Sequence, residues 1–202
     1  MEVDLGLRSF SWVVASSILV LSCTTSGPDF PKISALIDSE APIAVGFDLD
    51  DTLIFSSPAF TAAWKDEFEH GSEPFWAEVN STCERFCTVK KKTLKILEMH
   101  QKRGDEVFVI TARDPPGGKA LAMWVEQTLG IAADHVFFEP NGKSERIKAL
   151  GISIFYGDSD SDIADAQAVG VIAVRIERSP ESTYKKKYNP GSFGELVIEN
   201  SQ

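Results

Sequence analysis

Five short apolar runs alternate with segments of helical pattern along most of this chain, and that alternation narrows the fold more than any other feature. The runs are 43–49 (Ile-Ala-Val-Gly-Phe-Asp-Leu), 107–111 (Val-Phe-Val-Ile-Thr), 136–138 (Val-Phe-Phe), 153–157 (Ser-Ile-Phe-Tyr-Gly) and 171–176 (Val-Ile-Ala-Val-Arg-Ile). Most are continuous rather than alternately apolar and polar, as expected of strands buried on both faces. Helical patterns at 88–103, 118–129, 143–150 and 160–169 run up to Gly104, Gly130, Gly151 and Gly170, and glycine is the usual residue past a helix end. The pattern predicts an α/β fold: a doubly wound parallel sheet with helices on both faces. A length of 202 residues, 43% of them apolar, suits one domain with an insertion.

The segment from about 54 to 87 breaks the alternation and is read as a small, mostly helical insertion. It is rich in aromatics (Phe55, Phe60, Trp64, Phe68, Phe75, Trp76, Phe86), most of which are expected to be core. The lysines at 90–92 and 185–187 are read as solvated faces. With 30 acidic against 20 basic residues and a net charge of −10, the chain lacks the basic stripe of a nucleic-acid groove. A small phosphate ester needs only a local positive site.

Residues 1–22 read as a signal peptide: Arg8 precedes a ten-residue apolar run, Trp12 to Leu21, too short for a membrane span. Val20-Leu21-Ser22-Cys23 resembles a bacterial lipoprotein processing site, so Cys23 is expected to carry lipid and anchor an exported, periplasmic or envelope protein. Residues 23–40 are then a tether and N-terminal segment, and 41–202 the folded domain. Cys83 and Cys87 remain. Their spacing is poor for a disulfide on a regular helix, and two small buried thiols are the favoured reading; a bond would need a bend or loop.

Candidate chemistry gathers at strand ends, where open α/β sheets bind ligands. Asp48-Leu-Asp50-Asp51-Thr52 follows the first run, Thr111-Ala-Arg113 the second, Lys143 opens a helix, and Asp158-Ser-Asp-Ser-Asp162 follows the fourth run. In a strand, residues i and i+2 face one side, so Asp48 and Asp50 are expected to converge. Asp48 can attack phosphorus to give an aspartyl-phosphate. Asp50 can protonate the leaving oxygen and then deprotonate water, and nearby carboxylates are expected to raise its pKa. Thr111, Arg113 and Lys143 can hold phosphoryl oxygens. Asp48, Asp50 and Asp158 call for a hard dication such as Mg²⁺.

In this order and at these positions the motifs resemble those of the haloacid dehalogenase (HAD) superfamily of phosphatases, over roughly residues 40–200. Ala44-Val-Gly-Phe-Asp-Leu-Asp-Asp-Thr52, Phe55-Ser-Ser-Pro58, Phe75-Trp76, Arg103-Gly-Asp105, Phe155-Tyr-Gly-Asp-Ser-Asp160, Ser182-Thr-Tyr-Lys185 and Phe193-Gly-Glu195 bring it closest to the bacterial class B acid phosphatases. The resemblance implies a Rossmann-like, HAD-like sheet with a helical cap inserted after the first motif. It implies an acid phosphatase of the periplasm with one Mg²⁺ per subunit, acting on nucleotides and aryl phosphates, with phosphotransfer to alcohols and a homotetramer. By motif, Asp48 resembles the nucleophile and a metal ligand, and Asp50 the acid/base, with its backbone carbonyl on the metal. Asp158 resembles the third ligand, with Asp162 in support behind it. Phe60, Trp76 and Tyr184 match the walls of the leaving-group pocket. The segment before the first motif and the insertion are shorter than is typical of class B, and Ala112 replaces a usual glycine. A narrower phosphatase of the same superfamily and a non-catalytic envelope lipoprotein are the alternatives. The joint presence of Asp48, Asp50, Lys143 and Asp158 weighs against the second.

Overall fold

A computed structural model describes Met1, residues 30–65 and residues 68–199. The expected signal peptide, the lipid site at Cys23 and the first part of the tether lie outside the described residues. Among those described, no helix is long and apolar enough to cross a membrane.

The sheet has six parallel strands: β1 (Ala44–Phe47), β4 (Glu106–Thr111), β5 (Val136–Phe138), β6 (Ile152–Gly157), β7 (Ile172–Ile176) and β8 (Leu196–Ile198). Their order is β5-β4-β1-β6-β7-β8. The chain builds outward from β1 through β4 to β5, then crosses to β6 on the other side of β1. The order therefore reverses at β1, and the crevice beyond its carboxyl end is where a ligand belongs.

The continuous apolar runs follow from burial on both faces. Val107 and Val109 of β4 join Val45, Phe47, Leu121 and Val125 in one core cluster, while Phe108 and Ile110 join Phe155, Ile163 and Ala166 in the other. Gly46 makes the second layer close: a Cβ there would lie 2.5 Å from Phe155 Cδ2. Helices α5 (Lys91–Arg103), α6 (Gly118–Leu129), α7 (Ser144–Ala149) and α8 (Asp160–Ala168) cover the sheet. Gly104 and Gly130 close α5 and α6 in the left-handed conformation, at φ 78° and 67°, which costs glycine little.

Several boundaries differ from the sequence reading. Helix α1 (Phe30–Leu36) occupies part of the expected tether, with Ile33 fully buried in the core. Thr88 and Val89 form β3, paired antiparallel with β2 (Ile54–Phe55), so α5 starts three residues later than expected. These two short strands bracket α2 (Ser57–Lys65), α3 (Glu73–Ser81) and α4 (Cys83–Phe86). Cys83 and Cys87 are bonded, with Cα atoms 4.8 Å apart. The favoured reading of two free thiols is thereby corrected: α4 is only four residues long, and Cys87 has left it for extended backbone at φ −89°, ψ 146°, which supplies the required bend.

A buried polar chain braces β1 and β6 behind the crevice. His100 Nδ1 lies 2.7 Å from Asp105 Oδ2, and its Nε2 lies 2.8 Å from the Tyr156 hydroxyl. Tyr156 stacks on Phe47 with ring centroids 4.6 Å apart. Burial holds the His100 pKa below its ordinary value, against the pull of Asp105. The unfolded chain therefore takes up this proton first, and the stability tied to neutral His100 is whole above about pH 6.5 and lost as pH falls through the folded pKa. The raised Asp48 and Asp158 carboxyls act the other way in this window, so the test is the difference: on going from pH 7 to pH 5 the urea midpoint should change less favourably in the unsubstituted protein than in His100→Gln, and equal changes would contradict this.

Candidate active site

Asp48, Asp50, Arg113 and Asp158 are delivered by strand ends. Beyond β1 the alternation outlives the strand itself. Leu49 is fully buried in the core, while Asp48 and Asp50 both line one cavity of about 620 Å³. The Asp48 N–H still donates to the Tyr156 carbonyl at 2.7 Å. The chain then doubles back: Asp51 adopts φ 54°, and the Leu53 and Ile54 N–H groups both donate to the Leu49 carbonyl. The two carboxylates share the cavity, yet each is held by its own cation.

Lys143, at the start of α7, reaches in from the side. Its Nζ lies 2.5 Å from Asp48 Oδ1 and 2.6 Å from Asp162 Oδ1, and all three residues are buried. Asp162 also closes a capping box on α8: its Oδ2 accepts from the Ser159 N–H at 3.0 Å, and its own N–H donates to Ser159 Oγ. Asp158, just past β6, accepts from Thr52 Oγ1 at 3.5 Å and from Arg178 Nε. Burial pushes the Asp48 carboxyl well above its usual range, and Asp162, Asp158 and Asp50 add to the rise while Lys143 opposes it. Burial and the Asp162 charge lift Asp158 to about 7, against Arg178. Carboxylate oxygens of Asp48, Asp158 and Asp162 lie within 4.8 Å of one another. Buried oxygens with this surplus of negative charge fit a hard divalent cation.

Asp50 stands differently from expectation. Its carboxylate accepts from Arg113 Nε at 2.8 Å and Nη2 at 2.6 Å, a bidentate pair. Burial alone would raise its pKa, but the Arg113 charge and hydrogen bonds, with Ser56, hold it below the usual range. The expected rise from neighbouring carboxylates is thus reversed, because the guanidinium is nearer. Arg113 is itself buried and committed: Nη1 donates to Asn80 Oδ1 at 3.1 Å, and Asn80 is fixed to the Asp114 and Pro116 carbonyls at 2.9 and 2.6 Å. Thr111 is fully buried and accepts the Arg113 N–H at 3.3 Å. The cavity wall beside it is Ala112 and Arg113.

The mouth is aromatic. Phe60, Trp64 and Trp76 face it from α2 and α3, and Tyr184 from the loop after β7. Phe60 and Trp76 meet edge to face at 6.0 Å, and the Trp76 indole N–H is buried without a partner. Of the seven aromatics expected to be mostly core, only Phe75 is fully buried. The insertion spends several of the others on the cavity wall.

Three supporting residues escaped the sequence reading. Lys90, expected on a solvated face, is buried with Nζ on the Asp51 carbonyl at 2.5 Å and the Glu177 carbonyl at 2.7 Å. Asn80 gave no signal. Arg178 had one available cue, its place two residues past the end of β7, since Asp48, Asp50, Arg113 and Asp158 also sit just past strand ends.

A class B acid phosphatase from Citrobacter rodentium is 36% identical over 184 residues, covering 85% of this chain and 78% of that protein. One from Edwardsiella ictaluri is 39% identical over 186 residues, covering 85% and 77%. Among solved structures, a HAD hydrolase of family IA from Entamoeba histolytica aligns at TM-score 0.54 and 18% identity, over 77% of this chain and 92% of its own. A predicted phosphoglycolate phosphatase from Haemophilus somnus aligns at TM-score 0.53 and 15% identity, over 81% and 96%. These two share the fold, the expected HAD-like sheet. The model of HAD superfamily subfamily IIIB (acid phosphatase) matches residues 30–187, a span holding Asp48, Asp50, Lys143 and the carboxylate cluster. The chain therefore belongs to this acid phosphatase subfamily of the HAD superfamily.

Proposed function

We propose that this acid phosphatase is a Mg²⁺-dependent phosphomonoesterase working through an aspartyl-phosphate on Asp48. The observation that carries this reading is the buried cluster of Asp48, Asp158 and Asp162, with the Lys143 ammonium on Asp48 and Asp162. Asp48, Asp158 and the Asp50 backbone carbonyl would hold the Mg²⁺, with Asp162 supporting Lys143 from behind. When bound, the cation offsets the charge that otherwise opposes an anionic nucleophile meeting an anionic ester.

The chain's own groups do the rest. An Asp48 carboxylate oxygen attacks phosphorus as the bond to the leaving oxygen breaks, and Asp50 gives that oxygen its proton. Asp50 then takes a proton from water, whose oxygen attacks the phosphoryl group and frees Asp48 and inorganic phosphate. Asp50 starts ionised on Arg113. An arriving dianionic ester adds negative charge beside Asp50 and competes for the guanidinium; both effects raise its proton affinity, so Asp50 takes up a proton from the mildly acidic medium before the leaving group departs. Lys143 and Arg113 are the cations within reach of phosphoryl oxygens; Thr111 holds the turn that presents Arg113. Phe60, Trp76 and Tyr184 would stack on aryl or nucleobase leaving groups, and residues 54–87 act as a cap. Phosphotransfer to an alcohol follows if an alcohol replaces water in the second step.

Hydrolysis of p-nitrophenyl phosphate at pH 5–7 should vanish in EDTA and return with Mg²⁺; full activity in EDTA refutes the cation's role. The apolar run of residues 12–21 supports export. The mass of the mature amino terminus should show cleavage before a lipid-modified Cys23, and an unmodified residue further on rules out the anchor.

A further inference from the structure

Asp158 and Tyr184 are joined through one buried side chain. Arg178 donates from Nε to Asp158 Oδ2 and from Nη1 to the carbonyls of Tyr184 at 3.0 Å and Lys186 at 2.9 Å. Its guanidinium carbon lies 4.9 Å from the Tyr184 ring centroid and 4.6 Å from that of Tyr188. The Tyr188 hydroxyl accepts the Arg178 backbone N–H at 3.0 Å. The loop of residues 178–188 is thus folded around this guanidinium. Two further ties fasten the loop: Ser182 Oγ donates to Asp51 Oδ2 at 2.5 Å, and the Thr183 N–H donates to Ser57 Oγ at 2.9 Å. Most residues of the loop are exposed, yet Arg178 is buried. Burying a guanidinium is tolerable only when its donors find partners. Here the partners are one carboxylate of the acidic cluster, the carbonyl of Tyr184 at the cavity mouth and that of Lys186 two residues on.

We propose that Arg178 is a positioning residue with two separable duties. Its charge fixes the Asp158 carboxylate for a divalent cation, and its planar fork sets Tyr184 as a wall of the leaving-group pocket. The inference rests on the phosphatase reading above. Lysine can supply a point charge beside Asp158, but a single ammonium cannot meet the carboxylate as Nε does and at the same time take the place of Nη1 between the two carbonyls, nor lay a planar cation over two rings. The duties should therefore come apart between Arg178→Lys and Arg178→Gln.

The test combines isothermal titration of Mg²⁺ into the substrate-free protein with KM values for p-nitrophenyl phosphate and ethyl phosphate. Arg178→Gln should weaken Mg²⁺ binding about tenfold or more, as loss of a residue supporting a metal ligand does. Arg178→Lys should bind Mg²⁺ within about threefold of the unsubstituted protein, yet show a KM for p-nitrophenyl phosphate raised about three- to tenfold, the worth of an aromatic contact. Its KM for ethyl phosphate should not change. Unchanged or tighter Mg²⁺ binding in Arg178→Gln overturns the first duty. Unchanged aryl preference in Arg178→Lys overturns the second, and that variant decides the matter alone if Arg178→Gln does not fold. An unsubstituted protein that neither binds Mg²⁺ nor hydrolyses either ester faults the reading of the site itself, a result distinct from both.

Discussion

Asp48→Asn is expected to lower turnover of every phosphate monoester by about 10⁴-fold or more, with the protein still folded. Asparagine matches aspartate in shape but offers phosphorus only an amide oxygen, a poor nucleophile. The fold should not suffer. Burial and three neighbouring carboxylates already disfavour a charge at this position, so a neutral side chain relieves repulsion there. Lys143 keeps Asp162 at 2.6 Å and is not left buried and unpaired, which would cost several kcal/mol (about 3–5). Lost activity with an unchanged or raised melting temperature would therefore be chemical in origin. Near-full activity would remove Asp48 from the centre of the account.

Asp50→Asn is expected to act by leaving group. Without a proton donor, esters of poor leaving groups should slow by about 10²–10⁴-fold, the usual worth of general acid–base catalysis. p-Nitrophenolate departs with little help, so p-nitrophenyl phosphate should lose less in its first step. The second step still lacks a base, so the phosphoryl group should stay on the enzyme. Structure adds a condition here. Arg113 loses its bidentate partner in this variant, though Asn80 and the Val79 carbonyl still accept from Nη1, and the guanidinium is then freer to take phosphoryl oxygens. The KM of Asp50→Asn should accordingly not rise. Equal slowing of the first step for alkyl and nitrophenyl esters, read from single-turnover rates, would argue that Asp50 acts only by holding Arg113.

The physics of the sheet was plain in the sequence because burial on both faces writes itself as unbroken apolar runs, and helices above them end on glycine. What stayed hidden was decided by partners far along the chain. Strand β8, Leu196–Ile198, is as short as β5 but has no helix leading into it to mark the alternation, and it pairs along the edge that β7 offers. Lys90 sat in a basic run that reads as solvated, and only tertiary contact reveals the two carbonyls, from Asp51 and Glu177, that take its ammonium inside. The ionisation of Asp50 was misjudged for the same reason: adjacency along the chain showed other carboxylates, while the guanidinium that governs it lies 63 residues away. The Cys83–Cys87 bond depended on a helix stopping after one turn, which spacing cannot show. Asp48, Asp50, Thr111, Arg113 and Asp158 were visible because each sits at or just past the end of an apolar run, and Lys143 because it opens a helix.

The most direct test of the central claim is to mix Asp50→Asn with p-nitrophenyl phosphate and Mg²⁺, quench in acid, and map the modified peptide by mass spectrometry. The account predicts a phosphoryl group on Asp48, absent from Asp48→Asn treated in the same way. A phosphoryl group on any other residue, or none at all with the first-step burst of p-nitrophenol still observed, would contradict it.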